Sequence, residues 1–340
     1  MPDDHFPILS LFCGAGGLDY GFRRERFKVI LACDNSVAAV NSYNLNARAK
    51  VARLVDLSVV TTHQLFALME ETTPGVAPVG VIGGPPCQGF SQGNASADPN
   101  DLRNLLPFDY AAIVAALNEK YTLEFFVFEN VLGLMNPRHI HRFRDICREF
   151  ETAGFNLFFA QLNASAFGVP QNRPRLFVVG LNAKLFLKNT FEFPKGTGRR
   201  KSVRDAIEGM PRPVFFTRGM TANDVPFHPN HWTMMPKSPK LSAGSPTDGR
   251  SFRRLLWDEV SPIVAYGNRE IHVHPDGGRR LSVHEAMLLQ GFPAQYRLWG
   301  NFSQQVTQVS NAVPPPVARA LARTIRRTLW EKIAKPGQSR

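Results

Sequence analysis

The chain has 340 residues, 44% of them hydrophobic, which suits one large domain or two unequal ones and excludes a chain that stays unfolded. Its four cysteines, Cys13, Cys33, Cys87 and Cys147, form no C-x-x-C pair, so neither a disulfide framework nor a metal site is expected. The net charge is +12, but residues 1–182 hold 15 Lys/Arg against 17 Asp/Glu while residues 183–340 hold 25 against 11. A basic second half suits a polyanionic partner, because each neutralised phosphate releases a counterion, although an ordinary basic surface accounts for it too.

In chain order, the first segment, MPDDHFPILSLF, carries acidic residues where a secretory signal needs basic ones, and no apolar run reaches membrane-spanning length. A soluble protein of a reducing compartment, with no membrane partner, is expected. Ile8–Phe12 reads as a strand, followed by the glycine turn CGAGG and a helix from Leu18. Val29–Ala32 reads as a second strand and Ala38–Leu45 as a second helix. Further strands are predicted near Leu54–Val55, at Val79–Ile82 and at Phe125–Phe128. Strands alternating with helices imply an α/β, doubly wound fold with a parallel sheet covered on both faces. Asn156–Leu162 and Leu176–Leu181, joined by a polar loop, have the pattern of an antiparallel pair, which makes the sheet mixed.

Residues 183–279 are rich in Pro, Gly, Ser and Arg without a sustained helical period, so a small irregular domain of loops and short strands is expected there. Regularity returns at Leu281. Ser282 and Glu285 have capping-box spacing, which predicts a helix to Gln290 that stops at Gly291. In the last helix Val317, Leu321, Ile325, Leu329 and Ile333 recur at i,i+4 opposite Arg319, Arg323, Arg326 and Arg327. That stripe is expected to dock on the main domain rather than bind a partner.

Gly14, Gly16 and Gly17 stand between a strand and a helix, where a ligand can approach the backbone and helix N–H groups face it. Asp34 follows Gly14 by 20 residues, a position from which a carboxylate accepts hydrogen bonds from ribose hydroxyls. Asp56, ending another apolar run, suits an adenine amino group or equally a helix cap. Together they point to an adenosine-containing cofactor, with NAD and S-adenosylmethionine both open. In GGPPCQGFS, residues 83–91, Cys87 sits behind two prolines at the carboxyl end of the fourth strand, where open parallel sheets bind ligands. Pro85 and Pro86 stiffen the backbone before the sulfur, and a helix N-terminus or a cation nearby would raise its thiolate fraction, which favours a nucleophile over a structural thiol. Glu129 ends the run FFVFENV, and an apolar setting raises a carboxyl pKa, as suits a proton donor. Arg173 and Arg175 in QNRPR are spaced i,i+2, so in an extended segment both point one way and can grip an anion or a polarised carbonyl. No histidine is near Cys87 in sequence, but His139 and His141 leave a Cys–His hydrolase open on residue types alone.

FCGAGGLD, PPCQGFS, ENV at 129–131, QNRPR at 171–175, RRLSVHEAMLLQGFP at 279–293 and QVSNAVPPPVA at 308–318 resemble, in order and spacing, the DNA (cytosine-5) methyltransferases of bacterial restriction-modification systems. The resemblance covers nearly the whole chain except the middle of residues 183–279. It implies a doubly wound, Rossmann-like S-adenosylmethionine-dependent methyltransferase fold. Residues 1–182 and 303–340 would form the catalytic and S-adenosylmethionine-binding domain, and 183–302 a small target-recognition domain with a hinge. The implied reaction moves a methyl group from S-adenosylmethionine to C5 of a flipped-out cytosine in a short specific sequence of double-stranded DNA. Cys87 would add to C6, and Glu129 would hold or protonate N3 and contact the exocyclic amine. Arg175, supported by Arg173, would act at the base carbonyl. Phe12, Gly14, Gly16 and Leu18 would line the cofactor, with Asp34 on the ribose, Asp56 near the adenine amine and Asn35 beside the adenine ring. Leu106 and Asn311 match further cofactor-side positions. Arg250, Arg253, Arg254 and Arg269 are the candidates for DNA contact.

Three departures from the family pattern stand out. His284 replaces an arginine common in the LSxxEA helix, Ser310 replaces a glycine before Asn311, and Asp34 replaces a glutamate one carbon longer. A tRNA cytosine-5 methyltransferase of the same fold and a catalytically inactive DNA-binding relative are the alternatives. Gly89-Phe90-Ser91 and the long variable segment favour DNA, and the intact Cys87, Glu129, Arg173 and Arg175 favour an active enzyme. The compact form implies a bacterial setting, either with a cognate restriction endonuclease as functional partner or as an orphan methylase; a monomer in the cytoplasm, associated with the nucleoid, is expected.

Overall fold

Strand β1 (Phe6–Leu11) leads through the glycine turn into α1 (Gly17–Arg23), then β2 (Phe27–Asp34), α2 (Val37–Leu45), β3 (Ala52–Leu54), α3 (Thr62–Thr72) and β4 (Gly80–Gly83). After β4 come α4 (Leu106–Tyr121), β5 (Phe125–Asn130), α5 (Ile140–Thr152), β6 (Phe155–Asn163) and β7 (Pro174–Asn182). The structure is a computed structural model and describes residues 5–86, 102–187, 190–238, 241, 246, 252–266 and 270–333.

The strands form one sheet in the order β3-β2-β1-β4-β5-β7-β6. Only β7 runs antiparallel to its neighbours, so the predicted pairing of the last two strands holds. The apolar runs of the sequence follow from burial on both faces, which leaves no polar side to alternate. Along β1, Ile8 packs in one layer with Phe22, Phe125 and Leu321, while Leu9 and Leu11 pack in the other with Tyr110, Phe126 and Phe150. Strand order reverses between β1 and β4, and at such a switch point the carboxyl ends of the strands flank a ligand crevice. Leu11 pairs with Gly83. The glycine turn and the Gly84-Pro85-Pro86 step therefore leave the sheet side by side.

The region after β7 is as irregular as its composition predicts. It contains α6 (Val203–Ile207) and four two-residue strands, β8 (Val214–Phe215), β9 (Trp232–Thr233), β10 (Ala265–Tyr266) and β11 (Glu270–Ile271). Helix α7 (Val283–Leu289) starts at the predicted capping box: Ser282 Oγ accepts from the Glu285 amide at 3.0 Å and Glu285 Oε2 from the Ser282 amide at 2.7 Å. Helix α8 (Phe302–Asn311) has no counterpart among the predicted elements. Its buried stripe of Phe302, Val306 and Val309 is interrupted by Gln305 and Gln308, which are also buried. Gln305 Oε1 accepts from the Trp232 indole at 2.7 Å, so a polar residue does the work of core packing. A third core joins Val203, Trp232, Leu255, Ile271, Met287, Tyr296 and Val306, and it takes in Ala15 of the glycine turn.

Helix α9 (Pro315–Ile333) docks on the sheet layer as its stripe predicts, with Val317, Leu321, Ile325 and Leu329 buried. The arginine side is not simply solvated. Glu25, just after α1 and only 3% exposed, pairs with Arg319 at 2.8 Å, Arg323 at 2.9 Å and Arg326 at 3.2 Å. Those pairs hold the carboxyl of Glu25 below its ordinary range although burial opposes them. No helix among the described residues is long and apolar enough to cross a membrane.

Candidate active site

Two corners meet at the switch point. In the first, Phe12, directly after β1, has φ of 55°, a left-handed conformation that is costly for an aromatic residue and tends to persist where function requires it. Gly14 (φ 54°) and Gly16 (φ 85°) continue the turn, and Gly16 is also the N-cap of α1. The first amides of α1 have no partner within the helix, which leaves donors at the mouth of the turn. Asp34, the last residue of β2, accepts from the Gly14 amide at 2.8 Å and from the Ser36 amide at 2.9 Å. Burial nevertheless pushes its carboxyl pKa up. Asp34 thus braces the turn, and its remaining lone pairs suit ribose hydroxyls.

Asn35 is exposed beside Asp34, Leu18 is buried in α1, and Leu106 is buried at the first position of α4. Asn311 ends α8, where Val313, two residues on, has its carbonyl against Gly17. Asp56 is exposed and folds back on Ser58, accepting from its amide at 3.0 Å and its hydroxyl at 2.6 Å. Those bonds hold its pKa down, and they cap a turn at 56–60 rather than the helix that the sequence offered as the second reading. Burial first, and the Asp56 charge second, push the carboxyl of Asp109 near the start of α4 up.

In the second corner Glu129, 7% exposed at the end of β5, pairs through Oε1 with Arg175 Nε at 3.2 Å. Burial raises its pKa despite the opposing charges of Arg175 and Arg173, so desolvation outweighs the ion pair. The i,i+2 arginines both lie beside Glu129 but do not act as one clamp. Arg175 takes the carboxylate, whereas Arg173, 2% exposed, donates from Nη2 to the Ser310 carbonyl of α8 at 2.6 Å. Asn130, one residue beyond Glu129, donates from Nδ2 to the Pro85 carbonyl at 3.2 Å. That bond ties the exit of β5 to the backbone two residues before Cys87. Cys87 itself lies outside the described residues. The other cysteines are poor nucleophiles: burial pushes the thiols of Cys13, Cys33 and Cys147 up, that of Cys147 to about 11.

A family model for C-5 cytosine-specific DNA methylases matches residues 6–327. The chain belongs to that family. Its relatives include the Type II methyltransferase M.MthTI of Methanothermobacter thermautotrophicus, 33% identical with 95% of this chain and 97% of the relative covered. M.FnuDI of Fusobacterium nucleatum is 30% identical over 96% of this chain and 95% of its own. Among solved structures, an E. coli prophage-encoded protein described as a DNA modification methyltransferase superposes with TM-score 0.76 at 22% identity, covering 97% of this chain and all of that one. The Dnmt2 methyltransferase of S. pombe superposes with TM-score 0.64 at 19% identity over 96% of this chain and 99% of its own. The enzyme is therefore an α/β methyltransferase that uses S-adenosylmethionine to methylate cytosine C5 in DNA. NAD chemistry and the Cys–His hydrolase reading fall away.

Several residues that shape this methylase site escaped the sequence reading. Asn130, within ENV, bonds the Pro85 carbonyl, a role that the motif does not announce. Gly84 leaves room for the carboxyl, since a Cβ there would lie 2.8 Å from Glu129 Oε2. Of the departures, His284 stacks on His228 at 3.7 Å between ring centroids, and its amide donates to Asn230, so it supports the third core by stacking. Ser310 is helical, so no glycine is required there. Arg253 and Arg254 are half-buried, with Arg254 bridged to Val273, while Arg250 and Arg269 lie outside the described residues.

Proposed function

We propose that Cys87 is the nucleophile of this DNA methylase, with Glu129 as its proton donor and Arg175 as the partner that orients Glu129. The carrying observation is the convergence at one strand end of Glu129, Arg175 and the Asn130 bond to Pro85. Cytosine C5 is a weak nucleophile. Addition of the Cys87 thiolate at C6 while Glu129 delivers a proton to N3 gives an enamine whose electron density lies at C5. Its raised pKa keeps Glu129 able to carry that proton nearer neutrality. Arg175 faces the carbonyl side of the base, and Arg173 holds α8 against that edge. After methylation, water acting as a base takes the C5 proton, the Cys87 thiolate leaves from C6, and N3 returns its proton to the Glu129 carboxylate, which restores the neutral ring.

S-adenosylmethionine fits the first corner: the α1 amides, the Asp34 carboxylate and the strained Phe12 make a polar, close-approach cradle. When bound it supplies an electrophilic methyl group. Phe12, Gly14, Gly16 and Leu18 line it, Asp34 and Asn35 take the adenosine side, and Asp56, Leu106 and Asn311 border it. The catalytic unit spans 1–182 and 303–340, and 183–302 reads the target through residues including Arg250, Arg253, Arg254 and Arg269. The enzyme acts as a monomer on double-stranded DNA in the cytoplasm at the nucleoid. The Type II names of its relatives support a cognate restriction endonuclease as functional partner. Expression in a host that lacks cytosine methylation, followed by bisulfite sequencing, tests the reading. Protected cytosines in one short motif support it, and protection lost in Cys87→Ser supports the nucleophile. Protection in Cys87→Ser, or protection in tRNA alone, overturns it.

A further inference from the structure

The glycine turn is held from behind by two tyrosines from distant parts of the chain. The Tyr43 ring of α2 lies against Gly16, where a Cβ would stand 2.9 Å from Tyr43 Cδ2. Its hydroxyl donates to Asp19 Oδ1 at 2.9 Å, inside α1. The Tyr296 hydroxyl donates to the Ala15 carbonyl. The Gly16 amide donates to the Cys13 carbonyl at 2.9 Å, so the peptide between Ala15 and Gly16 is fixed at both its oxygen and its nitrogen. That peptide immediately precedes the first amides of α1, which the helix itself does not pair.

Tyr296 belongs to the third core, packing on Phe292 and edge-on to Tyr20. The residues after it are laced to α2. Asn46 exchanges two hydrogen bonds with the Arg297 backbone, at 2.7 and 3.0 Å, and the Trp299 amide donates to Ser42 Oγ at 2.7 Å. On its other side Leu298 exchanges two 2.8 Å bonds with the Asn230 side chain. The phenol is thus held in place independently of any ligand, and it aims its one proton at the turn.

We propose that Tyr296 is a positioning residue for S-adenosylmethionine: its hydroxyl sets the Ala15–Gly16 peptide so that the following amides meet the cofactor. Deleting the hydroxyl leaves a buried carbonyl unpaired, and the peptide gains freedom to rotate away from the binding geometry. The inference rests on the glycine turn being the cofactor corner. The test is Tyr296→Phe in the full-length protein, with Asp34→Ala beside it. S-adenosylmethionine Kd is read by calorimetry without DNA, and KM for each substrate and kcat by methyl transfer. For Tyr296→Phe the Kd and the cofactor KM are expected to rise about tenfold, the factor for one neutral hydrogen bond. The DNA KM, the kcat at saturating cofactor and the melting temperature of the cofactor-free protein are expected to stay near wild type. A Kd within twofold of wild type overturns the proposal. So does a DNA KM that rises with the cofactor KM, or a melting temperature lowered by more than about ten degrees, since the tyrosine then serves only packing. If Asp34→Ala loses cofactor and Tyr296→Phe does not, Tyr296 alone is misassigned. If both bind as wild type, the cofactor corner itself is misplaced.

Discussion

Replacing Gly84 by alanine is expected to separate catalysis from stability. The new Cβ would lie 2.8 Å from Glu129 Oε2, 3.6 Å from the Glu129 carbonyl and 3.8 Å from its Cβ. The last two distances are ordinary contacts, so the backbone need not move. The first is too short by about 0.6 Å, and the carboxyl must swing away. Its other oxygen is held at 3.2 Å by Arg175 Nε, so the swing lengthens that pair or turns the carboxyl plane. The cost to folding is small, because one flexible side-chain end relieves the clash. The cost to catalysis is not, since displacements approaching 1 Å in a reacting group cost up to about a hundredfold. We therefore expect kcat to fall about ten- to a hundredfold, or about 1.4 to 2.7 kcal/mol of barrier. Steady-state methyl transfer to duplex DNA measures kcat, with S-adenosylmethionine Kd and melting temperature read in parallel. A kcat within twofold of wild type refutes the placement of Glu129 at the reacting base. A collapse of melting temperature together with cofactor affinity refutes the claim that the clash is local.

Asn130→Ala frees the Pro85 carbonyl and is expected to lower kcat about tenfold with cofactor Kd unchanged; equal loss of cofactor binding contradicts it. Glu285→Ala strands Arg279, which grips that fully buried carboxylate at 2.7 and 2.8 Å, so denaturant unfolding is expected to show a loss of about 3–5 kcal/mol. A loss below about 1 kcal/mol means the pair is not structural. Burial holds the imidazoles of His228 and His272 down to about 4 and that of His284 to about 3. The unfolded chain takes up these three protons below about pH 6.5 while the folded protein does not. Stability is then complete above that pH and falls as pH drops toward 4, by up to about 4 kcal/mol per unit. His284→Asn is expected to reduce that slope by about a third, and an unchanged slope in acid denaturation contradicts the assignment.

The parts of the fold that were legible in sequence are those set by local pattern. β1, β2, β4 and β5 are continuous apolar runs because both sheet faces are covered, and α7 announces itself through Ser282 and Glu285. Glu129 was legible as a strand end and Arg175 as part of an extended QNRPR segment, but their pairing was not, because it depends on β7 lying antiparallel to β5. What stayed hidden depends on contacts between remote positions. Asn130 reaches Pro85 across 45 residues, and Tyr296 reaches Ala15 across 281. No periodicity encodes such a bond. Arg173 looked equivalent to Arg175 by spacing, and only the arrival of α8 gives it the Ser310 carbonyl instead. Helix α8 was missed because buried glutamines fill positions where the pattern demands apolar residues.

The central claim is that Cys87 bonds to C6 of the cytosine that becomes methylated. Once the motif is mapped, a duplex carrying 5-fluorocytosine at that position tests it directly. Fluorine cannot leave C5 as a proton does, so elimination stops and the cysteine adduct persists. Incubation with S-adenosylmethionine, proteolysis and mass spectrometry are predicted to find the methylated, fluorinated base on the peptide containing Cys87, and none in Cys87→Ser. An adduct on another residue, or full turnover by Cys87→Ser, would contradict the account.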